Sequence, residues 1–145
     1  SGAVLGGREW HGCRAVVEVV AGLPPGPRIG VIGGAGGSLA APGGPRVIDL
    51  PSFTEEYKPE AFEAIGVLED LQASDPSVDW FYIHPAGGFG VWNPGERTGS
   101  YRDGGDVIVT DEAGESYISG ADLAVAVLDE VESPKHSRGR FTVGY

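Results

Sequence analysis

The chain has 145 residues, with 21 acidic and 10 basic side chains and a formal charge of −11. Nucleic-acid phosphates and anionic membrane surfaces both call for clustered Lys and Arg, so this balance argues against either as a partner. With 41% hydrophobic residues the chain is expected to fold as one domain over 1–145, and no apolar run approaches the roughly 20 residues of a membrane span.

In chain order, Trp10 to Ala21 has Ala15, Val16, Val19 and Val20 spaced for one helical face, and Leu23-Pro24-Pro25-Gly26-Pro27 ends it. Arg28 to Ile32 is short, apolar and predicted to be a buried strand. The run Gly33-Gly34-Ala35-Gly36-Gly37-Ser38 follows it as a loop. Pro59 to Gln72 is predicted as a helix with Pro59 in its first turn. Its expected core face is Ala61, Ile65, Leu68 and Leu71, widened by Phe62 and Ala64. Trp80 to Ile83 is aromatic and β-branched, a strand, and His84-Pro85-Ala86-Gly87-Gly88 leaves its C-terminal end.

Tyr101-Arg102 and Val107-Ile108-Val109 flank Asp103-Gly104-Gly105, which predicts a β-hairpin. Ser119-Gly120-Ala121-Asp122 has capping-box spacing, with the acid expected to reach back to the cap. The helix it starts is expected to bury Ala124, Val127, Leu128 and Val131. Phe141 to Val143 is a last strand. Such alternation predicts an α/β fold with a mostly parallel sheet. On this reading the chain opens with a helix, and three core strands leave an open sheet edge for a second copy or a complementary N-terminal half to cover.

Cys13 is the one cysteine, so an intrachain disulfide and a cysteine-based zinc site are excluded, and a reducing cytoplasm is the expected setting. His11, His84 and His136 lack ligand spacing, so no metal site is expected. His11 and His136 are expected at the surface. No signal-peptide pattern is read and Met is absent. The chain is therefore expected to begin after processing or partway into a longer product.

Several segments together resemble the C-terminal half of an atypical short-chain dehydrogenase/reductase, the NAD(P)-binding, epimerase/dehydratase-like subgroup. They are Val31-Ile32-Gly33-Gly34-Ala35-Gly36, Glu55-Glu56-Tyr57-Lys58-Pro59-Glu60-Ala61, and Asp79-Trp80 through Pro85. Pro94-Gly95-Glu96-Arg97-Thr98-Gly99, Gly114 through Ala124, and Arg140 through Tyr145 continue the pattern in order. The resemblance implies a Rossmann-like sheet, shortened at its N-terminus, and a nicotinamide dinucleotide cofactor, NAD or NADP. It implies that Gly33, Gly34, Gly36, Ser38 and Pro85 lie along the cofactor. The glycine fingerprint that holds the pyrophosphate at a helix N-terminus is not found: Gly33 to Gly37 does not fit G-x-G-x-x-G. The family's catalytic Tyr and Lys stand four residues apart, whereas Tyr57 is followed at once by Lys58 and position 61 is Ala.

Three side chains are candidates for catalysis. Tyr57 and Lys58 are acid–base candidates by the resemblance; the alternative is a surface Lys paired locally among Glu55, Glu56, Glu60 and Glu63. His84 ends a strand and could titrate near neutrality; the alternative is a satisfied polar residue. The glycine run could line a small-molecule pocket with bare backbone, or be a tight turn that needs positive φ. Arg97 could clamp a carboxylate or phosphate, or pair with Glu96. Asp111, Glu112 and Glu115 are expected to be a solvated face, and Trp92 to cover a ligand or partner. Three functional readings follow. One is an NAD(P)-dependent oxidoreductase or epimerase, truncated or degenerate. A second is a non-catalytic module that dimerises or binds a small ligand. A third is a cofactor-independent isomerase or cyclase using His84 or Tyr57.

Overall fold

The computed structural model describes residues 2–6, 19, 22 and 27–145, with backbone alone for 2–6. The predicted helix Trp10–Ala21 lies outside the described residues except for Val19, which is helical and exposed, and Cys13, Trp10 and His11 lie outside them too.

One sheet holds five strands: β1 (Gly2–Gly6), β2 (Arg28–Ile32), β3 (Asp79–His84), β4 (Arg102–Asp103) and β5 (Gly139–Gly144), in the order β1-β2-β3-β5-β4. The first four positions are parallel, with Gly2 beside Arg28, Arg28 beside Asp79 and Phe81 beside Gly139. This is the expected α/β, Rossmann-like arrangement. Two expectations change. The described chain opens with a strand, not a helix, and β1 pairs along the whole of β2, so the edge of β2 is not open. The 101–109 hairpin is not formed either. Arg102 and Asp103 pair antiparallel with Gly144 and Val143 of β5, and Leu39 bridges Val107 instead.

Alternation along β3 explains the two layers. Trp80 and Tyr82 face α1 (Lys58–Gln72), packing with Ile29, Val31, Val67, Leu68 and Leu71. Phe81 and Ile83 face α2 (Gly120–Glu132), packing with Leu123, Ala126, Phe141 and Val143. A parallel sheet buried on both faces needs this unbroken apolar run. In α1, Phe62 is 50% exposed and Val67 takes its expected place in the core. In α2 the buried face is Asp122, Leu123, Ala126 and Glu130, while Leu128 and Val131 are exposed. The expected face is turned by about one residue, or ~100° of helix. Apolar residues lie on several sides of α2, so its orientation is set by the buried hydrogen bonds of Asp122 and Glu130.

Glycines set two close approaches. A Cβ on Gly30 would lie 2.3 Å from the Phe81 ring, and one on Gly33 would lie 2.0 Å from the Tyr82 ring and hydroxyl. The Tyr82 hydroxyl donates to the Ala64 carbonyl at 3.0 Å, which fastens α1 to β3 and leaves the ring little room to move. Gly34, one residue on, faces nothing within 4 Å. Gly33→Ala should therefore cost about 1–3 kcal/mol of stability in urea unfolding by overpacking. Gly34→Ala should change it by less than about 0.5 kcal/mol. Equal effects would contradict this packing.

Candidate functional site

Two loops leave the C-terminal ends of adjacent parallel strands, where open α/β sheets place ligands. Residues 33–38 follow β2 and residues 85–90 follow β3. The Gly33 amide donates to the Ile83 carbonyl at 2.9 Å, so the first loop starts tied to the second strand. Ala35–Gly37 then forms a short 3-10 turn. None of Gly33, Gly34, Gly36 or Gly37 has a positive φ, so the left-handed turn is not the reason for this glycine run. Close approach is. A Cβ on Gly36 would meet Ala61 at 3.1 Å, and one on Gly37 would meet Ile65 at 3.1 Å and His84 at 3.2 Å.

His84 holds this loop from below. It is fully buried, and its Nδ1 lies 2.8 Å from the Gly34 carbonyl. A carbonyl only accepts, so Nδ1 carries the proton. Nε2 faces the Arg140 Nη1 at 3.5 Å, and the same Nη1 donates to the Gly37 carbonyl at 2.7 Å. Both imidazole nitrogens are thus engaged by protein groups. Burial pushes the His84 pKa down to about 4; the Gly34 hydrogen bond opposes the shift and the Arg140 charge adds to it.

Other expected residues fall into place around this clamp. Gly33, Gly34 and Ala35 are half-buried, whereas Gly36, Gly37 and Ser38 are buried. The Ser38 hydroxyl donates to the Ala35 carbonyl. Pro85 is buried, and the second loop first reaches solvent at Gly87. Tyr57 is 55% exposed and ends a 3-10 turn, Glu55–Tyr57, just before α1. Lys58 pairs with Glu55 at 2.6 Å, as the local alternative supposed. The structure therefore joins His84 to the glycine loop and turns Lys58 to Glu55.

A third loop, 91–99, is fixed by Asp122. This fully buried carboxylate accepts from the Thr98 amide (3.1 Å), the Thr98 hydroxyl (2.7 Å), the Gly99 amide (2.8 Å) and the Tyr145 hydroxyl. Burial alone would raise its pKa, but these donors, Tyr145 foremost, hold it well below the usual carboxylate range. Ser119 caps α2 as expected, accepting from the Asp122 amide at 3.1 Å. The acid does not reach back, and the Ser119 amide instead donates to the Tyr145 hydroxyl. Trp92 is 70% exposed at the tip of this loop. Arg97 forms no pair with Glu96, contrary to that alternative, and both are exposed. Asp111, Glu112 and Glu115 are exposed as expected. His136 is half-buried rather than fully at the surface: it sits between Glu130 and Asp103, at 2.6 and 2.7 Å. A cleft of about 420 Å³ opens there, between α2 and β4 and away from the glycine loop. Sequence reasoning missed the Arg140 contact with Gly37 and the Asp122–Tyr145 bond, whose partners lie far along the chain, and it missed the Glu130–His136 pair, which is near in sequence but depends on how the chain turns after α2.

No family model matches the chain. It is 44% identical over 117 residues to the uncharacterized protein YwnB of Bacillus subtilis (strain 168), matching 80% of this chain and 54% of that protein. The chain thus spans about half the length of that curated relative. A Burkholderia pseudomallei structure described as a "putative exported protein" superposes with a TM-score of 0.82 at 31% identity, over 99% of this chain and 71% of that one. A Streptococcus pneumoniae structure described as a "putative NADH-flavin reductase" gives 0.81 at 31%, over 98% and 70%. The chain belongs to the same family as these two proteins. A Bacteroides thetaiotaomicron "putative epimerase" gives 0.73 at 38% identity, over 81% and 53%. No helix among the described residues is long and apolar enough to cross a membrane.

Two measurements check the clamp and the third loop. The unfolded His84 ring takes a proton as pH falls below about 6.5, while the folded ring stays neutral to about 4. Its contribution is complete above pH 6.5 and is lost on acidification towards pH 4, by on the order of 3 kcal/mol. Denaturant unfolding between pH 8 and 4 should show this slope, and His84→Gln should flatten it; an unchanged slope would sink the assignment. Asp122→Asn should lower Tm by several degrees and speed amide exchange at Thr98 and Gly99, with no such change at Ile83.

Proposed function

We propose that this chain carries the nicotinamide and substrate end of an NAD(P)-linked oxidoreductase or epimerase of the atypical short-chain dehydrogenase/reductase type. It would correspond to the C-terminal half of such a protein. The observation that carries the reading is the open position at Gly34, set at the C-terminal end of a parallel strand in a loop clamped by His84 and Arg140. The names of the Streptococcus and Bacteroides relatives support the reaction class.

The described residues fit one end of a dinucleotide. Gly33, Gly34 and Ala35 are half-buried, and a flat ring can approach the backbone at Gly34; on the next loop Gly87 is exposed, while the Gly87 and Gly88 amides are taken by Ser116. Gly36, Ser38 and Pro85 support that surface from beneath. For the pyrophosphate the fit is missing among the described residues, because the glycine run itself ends in a 3-10 turn and no helix N-terminus follows it directly. That portion falls to a complementary N-terminal half or to a second copy of the chain. The cofactor would supply or accept the hydride. The chain's own part is to fix the loop and keep water from its underside. Tyr57 is the exposed candidate to move a proton to or from substrate. Lys58 is held by Glu55, and His84 positions the loop. A cytoplasmic setting belongs to this proposal and rests on the sparing use of cysteine. The Burkholderia relative is described as exported.

Titration of NADH, then NADPH, into the folded chain should quench tryptophan fluorescence saturably in the micromolar range. Gly34→Val should abolish this and leave Tm unchanged, since it fills open space. No binding up to millimolar cofactor by a folded chain would remove the cofactor reading.

A further inference from the structure

The residue between α2 and β5 that carries most charge contacts is His136. Its ring lies flat on Phe141, with centroids 3.8 Å apart and an interplanar angle of 11°. Nδ1 is 2.6 Å from a Glu130 oxygen, and Nε2 is 2.7 Å from an Asp103 oxygen. Ionised carboxylates only accept, so both contacts are hydrogen bonds when the ring carries two protons.

The two carboxylates are held very differently. Glu130 is 3% exposed and is also bound by Arg28 Nη2 at 2.7 Å and by the Lys135 and His136 amides. Although burial works the other way, these donors lower its pKa. Asp103 is 37% exposed and stands on the two-residue edge strand β4. Arg28 of β2 also pairs with Asp79 of β3, and Asp129 of α2 accepts from the Tyr101 hydroxyl. A ring with one proton leaves a lone pair against one carboxylate. The contact that yields is then Asp103, because Glu130 has other donors and Asp103 has solvent.

We propose that His136 is a proton-controlled latch between Asp103 of β4 and Glu130 of α2, and that loss of its proton frees the Asp103 end of the cleft wall, while Gly99 and Tyr101 stay tied to Asp122 and Asp129. Gly99, Ser100, Tyr101 and Asp103 form one wall of that cleft, and Ala126 and Asp129 belong to the other.

The test is an amide and imidazole NMR titration of the whole chain from pH 5 to 9. The amides of 101–105 should move with the same midpoint as the His136 ring, while those of β2 and α1 stay still. In His136→Gln the movement at 101–105 should vanish. Asp103→Asn covers the case of a poorly folded glutamine variant: the His136 ring should still titrate, and the 101–105 amides should no longer follow it. Amides at 101–105 that ignore the ring in the native chain would overturn the latch, as would amides that keep following it in Asp103→Asn.

Discussion

The bond between His84 and the Gly34 carbonyl holds the part of the molecule on which a functional reading depends. Residues 33–38 have only a short 3-10 turn of their own, and such a segment keeps one shape only if side chains from elsewhere satisfy its backbone. His84 from β3 takes the Gly34 carbonyl and Arg140 from β5 takes the Gly37 carbonyl. The register of the parallel strands brings these two side chains together, with Tyr82 beside Arg140 and His84 beside Thr142. The clamp works with a neutral imidazole, because burial beside an arginine disfavours a second positive charge. What remains open above it is bare backbone at Gly34.

Two buried carboxylates do for the other layer what His84 does for this one. Asp122 gathers the 98–99 loop and the C-terminal Tyr145, and Glu130 gathers Arg28, His136 and the chain entering β5. Buried charges are tolerated when each is met by several donors, and both are. Because they lie eight residues apart on α2, they fix that helix by two points on one face. The consequence is an α2 whose Leu128 and Val131 look outward, at odds with its hydrophobic pattern alone.

Much of the framework was legible in the sequence. β2 is found at Arg28–Ile32, where its short apolar run put it, and α1 starts within one residue of Pro59, because a proline in the first turn is a local signal. The Ser119 cap is local in the same way. The strand at Gly2–Gly6 was missed: five residues with two glycines carry little strand signal, and the pairing with β2 stabilises them. The 101–109 hairpin failed because Arg102 and Asp103 find a partner about 40 residues away rather than across the turn. At the candidate site, sequence placed the glycine loop and His84 at strand ends correctly. It could not show that the loop is glycine-rich for packing against Tyr82 and His84, nor that Arg140 completes the clamp, since both facts depend on strand register.

If the strand-end surface is the binding site, ligand must be felt there and not in the acidic cleft between α2 and β4. The most direct measurement is an amide chemical-shift map of the whole chain with NADH added stepwise. The account predicts shifts confined to residues 33–38 and 85–90. Shifts centred on residues 99–103 and 129–136, with the glycine loop unmoved, would contradict it.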